Sequence, residues 1–254
     1  MLTRHCHPLP DNFFCDGPYY VLTSASLGNS FLTPESLAEI LRAGEETAMR
    51  SLLAQGLCLP LFFPGDCAFD RAILVMGELT PDEEAEWIGR IQSKLHIPCG
   101  QLLLMCGGGS PEDWLGAMGG EGLQGYRDYF QVLDIPAGDY LVEVLTYVAS
   151  MSVDFHWEEE NGDALADWFY QTRPGEALPQ WIKTFQASGF IGELSDELVT
   201  YILHLTPLTT EPSLPALDAE IGWCGEFEWR RPVLCPRGIP RSQYPGSEAA
   251  SLAW

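Results

Sequence analysis

The sequence predicts an α+β fold in which several helices pack on a mainly antiparallel sheet. Short β-rich runs recur between turn signals, which is typical of strands. Thr-Pro pairs stand before stretches whose apolar residues have helical spacing. A third observation is a repeated string, I-P-x-G followed by a mainly apolar run, which occupies 97–106 and again 135–144.

The chain has 254 residues, of which 46% are hydrophobic, so it can bury a substantial core. We expect a single globular domain over 1–254, with an irregular tail at about 226–254 that contains proline and arginine. That tail has four arginines and three glutamates in an otherwise strongly acidic chain. We therefore expect it to lie over an acidic body.

The first predicted elements are a strand at 19–23 and a helix that begins at Pro34 and ends near Gln55. Thr33 is a suitable N-cap and Pro34 suits the first helical turn, while Gly56 is a natural stop. Two short apolar runs, 57–63 and 71–76, predict strands.

The strongest helix-start signal is Thr80-Pro81-Asp82-Glu83, which combines an N-cap, an early proline and a capping-box glutamate. It predicts a helix over 81–95. The apolar face of this helix would carry four residues, Trp87, Ile88, Ile91 and Leu95. The other face would present Asp82, Glu83 and Glu86.

The repeated string predicts two tight turns that each lead into a strand, because proline fixes one backbone angle and glycine permits the left-handed one. The strands would run over 101–106 and from 140 to about 157, with a bend near 149–150. The repeat indicates a partial duplication that places two strands in one sheet. A glycine loop at 107–109 and a short helix at 111–118 would follow the first copy.

The remaining elements are helices near 164–170 and 181–185 and strands at 199–205 and 221–229. The glycine loop at 107–109 does not match a phosphate-binding motif, because its glycines do not have the G-x-G-x-x-G spacing and no G-K-[ST] follows them. His5, Cys6, His7 and Cys15 do not have the spacing of a structural zinc site. We therefore predict no cofactor and no metal.

The formal net charge of -23 is the most unusual property of the chain. It argues against nucleic acid and anionic membranes as direct partners and would steer a basic protein towards this one. Simple solubility is the alternative explanation. The eight cysteines include no C-x-x-C and indicate free thiols, and no long apolar run is present. We therefore expect a cytoplasmic protein.

Asp154, His156 and Glu158 alternate along the predicted strand, so they would share one face. Such a set could hold a metal, act as an acid-base pair, or form an acidic edge that faces a partner. No nucleophile elbow, zinc-protease or kinase signature is present.

The second copy of the repeat, 135–144, resembles the turn-and-strand segment of bacterial toxin-immunity and nuclease-inhibitor proteins. This resemblance implies an acidic, non-enzymatic cytoplasmic protein that binds and neutralises a cognate, basic toxin such as a nuclease. The candidate partner-binding residues are Asp82, Glu83, Glu86, Asp154, His156 and Glu158. The alternatives are a divergent metal-dependent enzyme at the last three of these, and a chaperone or adaptor for a secreted effector.

Overall fold

Two β-sheets dominate the computed structural model, which describes residues 3–9, 13, 17–66, 68–69, 71–107, 130–191, 194 and 196–244. The described part contains ten strands and six α-helices, so the α+β prediction is confirmed. The strands are β1 His5–Pro8, β2 Tyr19–Ser24, β3 Cys58–Phe62, β4 Ile73–Met76, β5 Gly89–Ile97, β6 Gln101–Cys106, β7 Phe130–Asp134, β8 Gly138–Thr146, β9 Tyr201–Pro207 and β10 Glu228–Trp229. The helices are α1 Pro34–Ala43, α2 Glu46–Gln55, α3 Pro81–Glu86, α4 Met151–His156, α5 Gly162–Thr172 and α6 Gln180–Ser188.

The larger sheet has six strands in the order β1-β4-β9-β8-β5-β10, and only its β4–β9 pair is parallel. The smaller sheet has four antiparallel strands in the order β3-β2-β6-β7. Both sheets are therefore largely antiparallel, as predicted.

The main core lies between the two sheets. Its members come from alternate positions of the central strands, including Leu22, Leu59, Leu104, Leu95, Val142 and Leu203, and all are almost fully buried. Alternation follows from the pleat, which sends successive side chains to opposite faces. Burial of each such side chain stabilises the folded state by about 1.5–3 kcal/mol.

Five of the helices pack in two groups. Leu37 of α1 and Met49 of α2 pack on the outer face of the smaller sheet. The helices α4, α5 and α6 form a separate apolar cluster around the fully buried Trp181. This cluster and the segment that follows β9 bring the candidate site residues together.

The predicted helix over 34–55 is two helices. Gly44 takes the left-handed conformation at φ 61° and ends α1, and the Glu45 side chain then caps α2 by accepting from the amides of Thr47 and Ala48. This stop is not evident in the sequence, because the apolar spacing continues across it. The strands predicted at 19–23, 57–63, 71–76 and 199–205 are present as β2, β3, β4 and β9.

The predicted helix over 81–95 is wrong beyond its first turns. The capping box at Thr80 and Glu83 is present, but α3 ends at Glu86 and β5 begins at Gly89. Along β5 the odd-numbered residues from Ile91 to Ile97 are buried and the even-numbered ones are less so. Ile91 and Leu95, four residues apart, fit a helical stripe and a strand face equally well.

The long strand predicted from 140 to 157 is also wrong in its second half. β8 ends at Thr146, and Ser150 caps α4 by accepting from the amide of Val153. The bend expected near 149–150 is therefore the start of a helix. The strand predicted at 221–229 is reduced to Glu228–Trp229, while α5 and α6 confirm the two later helices.

The repeated turns lead into strands as predicted, but not into one sheet. β6 belongs to the smaller sheet and β8 to the larger one. Gly100 has the expected positive φ of 73°, whereas Gly138 is not among the glycines with positive φ. The helix predicted at 111–118 lies outside the described residues.

Five cysteines of the described part are free, namely Cys6, Cys58, Cys99, Cys224 and Cys235. Cys106 is disulfide-bonded, so the prediction that all thiols are free is wrong. Within the part of the chain that the structure covers, no helix is long and apolar enough to cross a bilayer.

Candidate partner-binding surface

Glu83 is a buried structural residue. One of its carboxylate oxygens accepts from Arg4 at 2.6 Å and from the hydroxyl of Tyr244, and the other accepts from the Thr80 amide at 2.6 Å. Burial alone would raise the pKa of this carboxyl, but the hydrogen bonds together outweigh it and lower the pKa below its usual value. Glu83 therefore joins the N-terminus, α3 and the C-terminal tail.

Glu86 is buried as well and holds the tail in place. Its two carboxylate oxygens accept from the amides of Arg237 and Gly238, each at 3.0 Å. The buried guanidinium of Arg173 lies 3.6 Å away. Burial is the larger effect on this carboxyl and raises its pKa despite these donors. Of the three acids predicted on α3, only Asp82 is exposed.

The predicted set of Asp154, His156 and Glu158 does not share one face. Asp154 is 5% exposed and accepts from the amide of Ile191 at 2.8 Å. His156 and Glu158 are exposed. Asp154 and His156 both lie on α4, where residues two apart point in different directions, and Glu158 lies beyond the end of this helix.

The His156 ring stacks on Trp229 of β10, with ring centroids 3.9 Å apart and an interplanar angle of 5°. Partial burial lowers the pKa of His156, although the nearby Glu160 acts in the opposite direction. This stack connects α4 to the C-terminal segment 228–238.

That segment runs between α3 on one side and α4 and α5 on the other. Arg230 donates to the Trp87 carbonyl at 2.8 Å just after α3, and its guanidinium lies 3.3 Å from the centroid of the Trp87 ring. On the other side, the Cys235 amide donates to the Thr172 hydroxyl at 3.0 Å. The two acid clusters predicted from sequence therefore border one segment.

Two of the three arginines in this segment form ion pairs within the protein. Arg231 lies 3.5 Å from Glu160 and stacks over Trp168, and Arg237 makes two 2.8 Å hydrogen bonds to Glu176. These two arginines therefore hold the segment against acids that flank α5.

Several exposed acids lie around the segment without a close ion pair. In the described part of the chain they make no ion pair, and they are Asp82, Glu84, Glu158, Glu159 and Glu226. Exposed apolar side chains lie along the same region. They are Phe155 at 52%, Trp229 at 36%, Val233 at 90% and Leu234 at 45% exposure. We call these residues, together with His156, the acidic-aromatic surface.

Phe155 and Trp229 were missed in the sequence because both lay in predicted strands, where an aromatic residue is expected to be buried. The sequence does not reveal that β10 has only two residues, which leaves Trp229 at the surface. Among the described residues, no three His, Cys, Asp or Glu side chains are grouped so that they could hold a metal ion.

Comparison with known proteins does not assign a family. No family model matches the chain, and no curated protein matches it. A solved structure described as "Crocagin biosynthetic gene J" is 15% identical with a TM-score of 0.32, over 80% of this chain and 95% of that one.

A second solved structure is ComJ from Bacillus subtilis, described as an inhibitor of the DNA-degrading activity of NucA. It is 8% identical with a TM-score of 0.32, over 82% of this chain and 99% of that one. Neither likeness carries an argument about this chain at that TM-score.

Proposed function

We propose that this protein is an inhibitor of the immunity type, which binds a basic toxin such as a nuclease and covers its active site. The observation that carries the proposal is the acidic-aromatic surface, where exposed apolar side chains lie among exposed acids that form no close ion pair in the described part of the chain. An apolar centre with a polar rim is the usual anatomy of a protein-protein interface.

Phe155 and Trp229 are the proposed anchors. Aromatic side chains supply much of the binding energy of interfaces when they become fully desolvated. Trp229 is held in place by the stack with His156, so little side-chain freedom remains to be lost when a partner binds. His156 and Glu158, both predicted from sequence, remain candidates for contact with the partner.

The acids would act mainly on recognition and association rate. A nuclease binds the phosphates of its substrate with basic side chains. Carboxylates such as Glu158 and Glu159 can bind the same basic side chains in place of the phosphates. The formal net charge of -23 would accelerate the encounter with a basic partner, and salt would weaken this effect.

The test begins with capture from an extract of the native host on immobilised protein at low salt. The retained basic protein is then purified and titrated calorimetrically, and its enzymatic activity is measured with and without this chain. We expect stoichiometric inhibition. Phe155→Ala should weaken binding at least tenfold, whereas Phe31→Ala is the matched control, because Phe31 is a fully exposed phenylalanine before α1.

The charge contribution has its own control. Glu158→Lys should slow association and reduce its dependence on salt, while Glu39→Lys, an exposed acid on α1 with no ion pair in the described part, should not. Equal effects of the two variants would show that only net charge matters. Failure to retain any basic protein at low salt, or binding without inhibition, would contradict the proposal.

A further inference from the structure

A cleft of about 650 Å³ opens between β1 and β7, which lie at one end of the larger and smaller sheet respectively. Its walls include consecutive residues, 5–7 of β1 and 132–136 at the end of β7. Successive side chains of a strand point to opposite faces, so a wall of consecutive residues means that the cleft runs along the main-chain edges.

The edge of β7 presents unused main-chain groups. The Ile135 amide donates to the Gly100 carbonyl, which fixes the phase of the β6–β7 ladder. By the alternation of that ladder, the N–H and C=O groups of Val132 and Asp134 point away from β6. Within the described part of the chain, these groups have no main-chain partner.

The edge of β1 is poorly suited to pairing. The Leu9 amide donates to the Ala72 carbonyl, so the residues of β1 that point away from β4 are Cys6 and Pro8. Proline has no N–H to donate, and its presence on an edge strand discourages pairing. A strand that enters the cleft would therefore pair with β7.

We propose that this cleft binds an extended segment of a partner protein, which joins the smaller sheet as a strand beside β7. Main-chain hydrogen bonds would supply affinity, and alternate apolar side chains of the segment would contact Leu74, Met76 and Leu133 in the cleft. Lysine or arginine between the apolar positions of the partner segment would be attracted by the exposed Asp134 and by the negative net charge of this chain.

This site is separate from the acidic-aromatic surface. β1 and β10 are the two opposite ends of the six-stranded sheet. Loss of peptide binding at β7 therefore does not depend on whether the protein inhibits a toxin, and the two proposals can fail independently.

The probe is a displayed library of random twelve-residue peptides selected on the full chain. We expect enrichment of peptides with alternating apolar residues and basic neighbours. Val132→Pro removes an outward N–H that β6 does not use, and should weaken the selected peptide at least tenfold. Val132→Ala keeps that N–H and should change affinity less than about threefold, which separates the main-chain contact from the side chain.

A second measurement does not depend on how well a variant folds. Single N-methylations along the selected peptide should abolish binding to the wild-type protein at alternate positions only, because a strand on one edge uses every second amide. The proposal is overturned if the library yields no binder, if Val132→Pro folds and binds normally, or if N-methylation shows no alternation.

Discussion

The amide of Ile135 donates a hydrogen bond to the carbonyl of Gly100 at 2.9 Å, so the two copies of the repeated turn touch each other. A β-carbon placed on Gly100 would lie 3.0 Å from the Ile135 carbonyl oxygen. The contact stands where β6 begins in one sheet and shortly before β8 begins in the other. The repeat therefore links the sheets at a corner instead of placing two strands in one sheet.

Gly100→Ala should destabilise the protein by about 1–2 kcal/mol, because Gly100 has a φ of 73° and an alanine there is strained. Gly138→Ala is the matched control from the second copy. Its φ is not positive, and the nearest atom to an added β-carbon is a Tyr140 ring carbon at 3.7 Å. Urea denaturation should show a change within about 0.5 kcal/mol for this control. Equal losses of stability in the two variants would mean that the left-handed conformation of Gly100 does not contribute to the effect.

Glu83→Gln should lower the free energy of unfolding at neutral pH by about 2 kcal/mol, because charge-assisted hydrogen bonds from Arg4 and Tyr244 are weakened. The pKa of Glu83 is lowered in the folded protein from 4.5. Its contribution is therefore complete above the unfolded pKa and is lost as the pH falls through the lower folded value. The difference from wild type should narrow below about pH 4.5.

Asp82→Asn is the control for that pH profile, since Asp82 is an exposed acid on the same helix. Guanidinium denaturation of all three proteins between pH 3 and pH 7 is the measurement. A difference between wild type and Glu83→Gln that stays constant over this range would mean that the charge on Glu83 has no part in stability.

Cys99 should be the most reactive of the described free thiols. Burial would raise its pKa, but hydrogen bonds with the hydroxyls of Ser24 and Ser26 and with nearby main-chain groups outweigh it and lower the pKa to about 7. Burial raises the pKa of Cys224 and Cys235 to about 12. Alkylation by iodoacetamide, followed by peptide mass spectrometry, should show a midpoint near pH 7 at Cys99 only.

Ser24→Ala should move that midpoint upwards, because the variant loses a hydroxyl 3.1 Å from the Cys99 sulfur. Cys6, whose pKa is raised by burial, provides an internal comparison in the same sample. A wild-type midpoint close to that of an ordinary thiol would refute this account of Cys99.

Arg230→Lys should cost about 1–2 kcal/mol although it keeps the charge. Arginine can lie flat over the Trp87 ring while its Nε donates to the Trp87 carbonyl, and a lysine cannot make both contacts in that geometry. Arg42→Lys on α1 is the control, because Arg42 is exposed. Thermal unfolding should separate the two variants, and identical melting temperatures would contradict the role assigned to Arg230.

Much of the fold could be predicted because local signals agreed with the final structure. Thr33, Thr80 and the turn at Gly100 each act as their residue types suggest. The errors lie where one pattern fits two periods. The spacing of Ile91 and Leu95 fits a helix as well as a strand. The segment forms a strand because it pairs with β8, and this long-range contact is not visible in the local sequence.

The candidate site was less predictable for the same reason. Acidity identified α3 and the region after β8, but burial of Glu83 and Glu86 depends on a tail more than 140 residues away. A capping-box glutamate is a signal of structure as much as of function. Phe155 and Trp229 carried no signal, because exposure of an aromatic residue is set by the final packing.

Asp154 and His156 lie two residues apart and should give opposite results when each is changed to alanine. Asp154→Ala leaves the Ile191 amide without its buried acceptor and should lower the free energy of unfolding by about 1–3 kcal/mol. His156→Ala removes the exposed stack on Trp229 and should cost less than about 1 kcal/mol. It should instead weaken binding of the captured partner, because Trp229 loses the ring that holds it. Urea denaturation and calorimetric titration of both variants make the comparison, and loss of binding only in Asp154→Ala would mean that α4 supports the fold without contacting the partner.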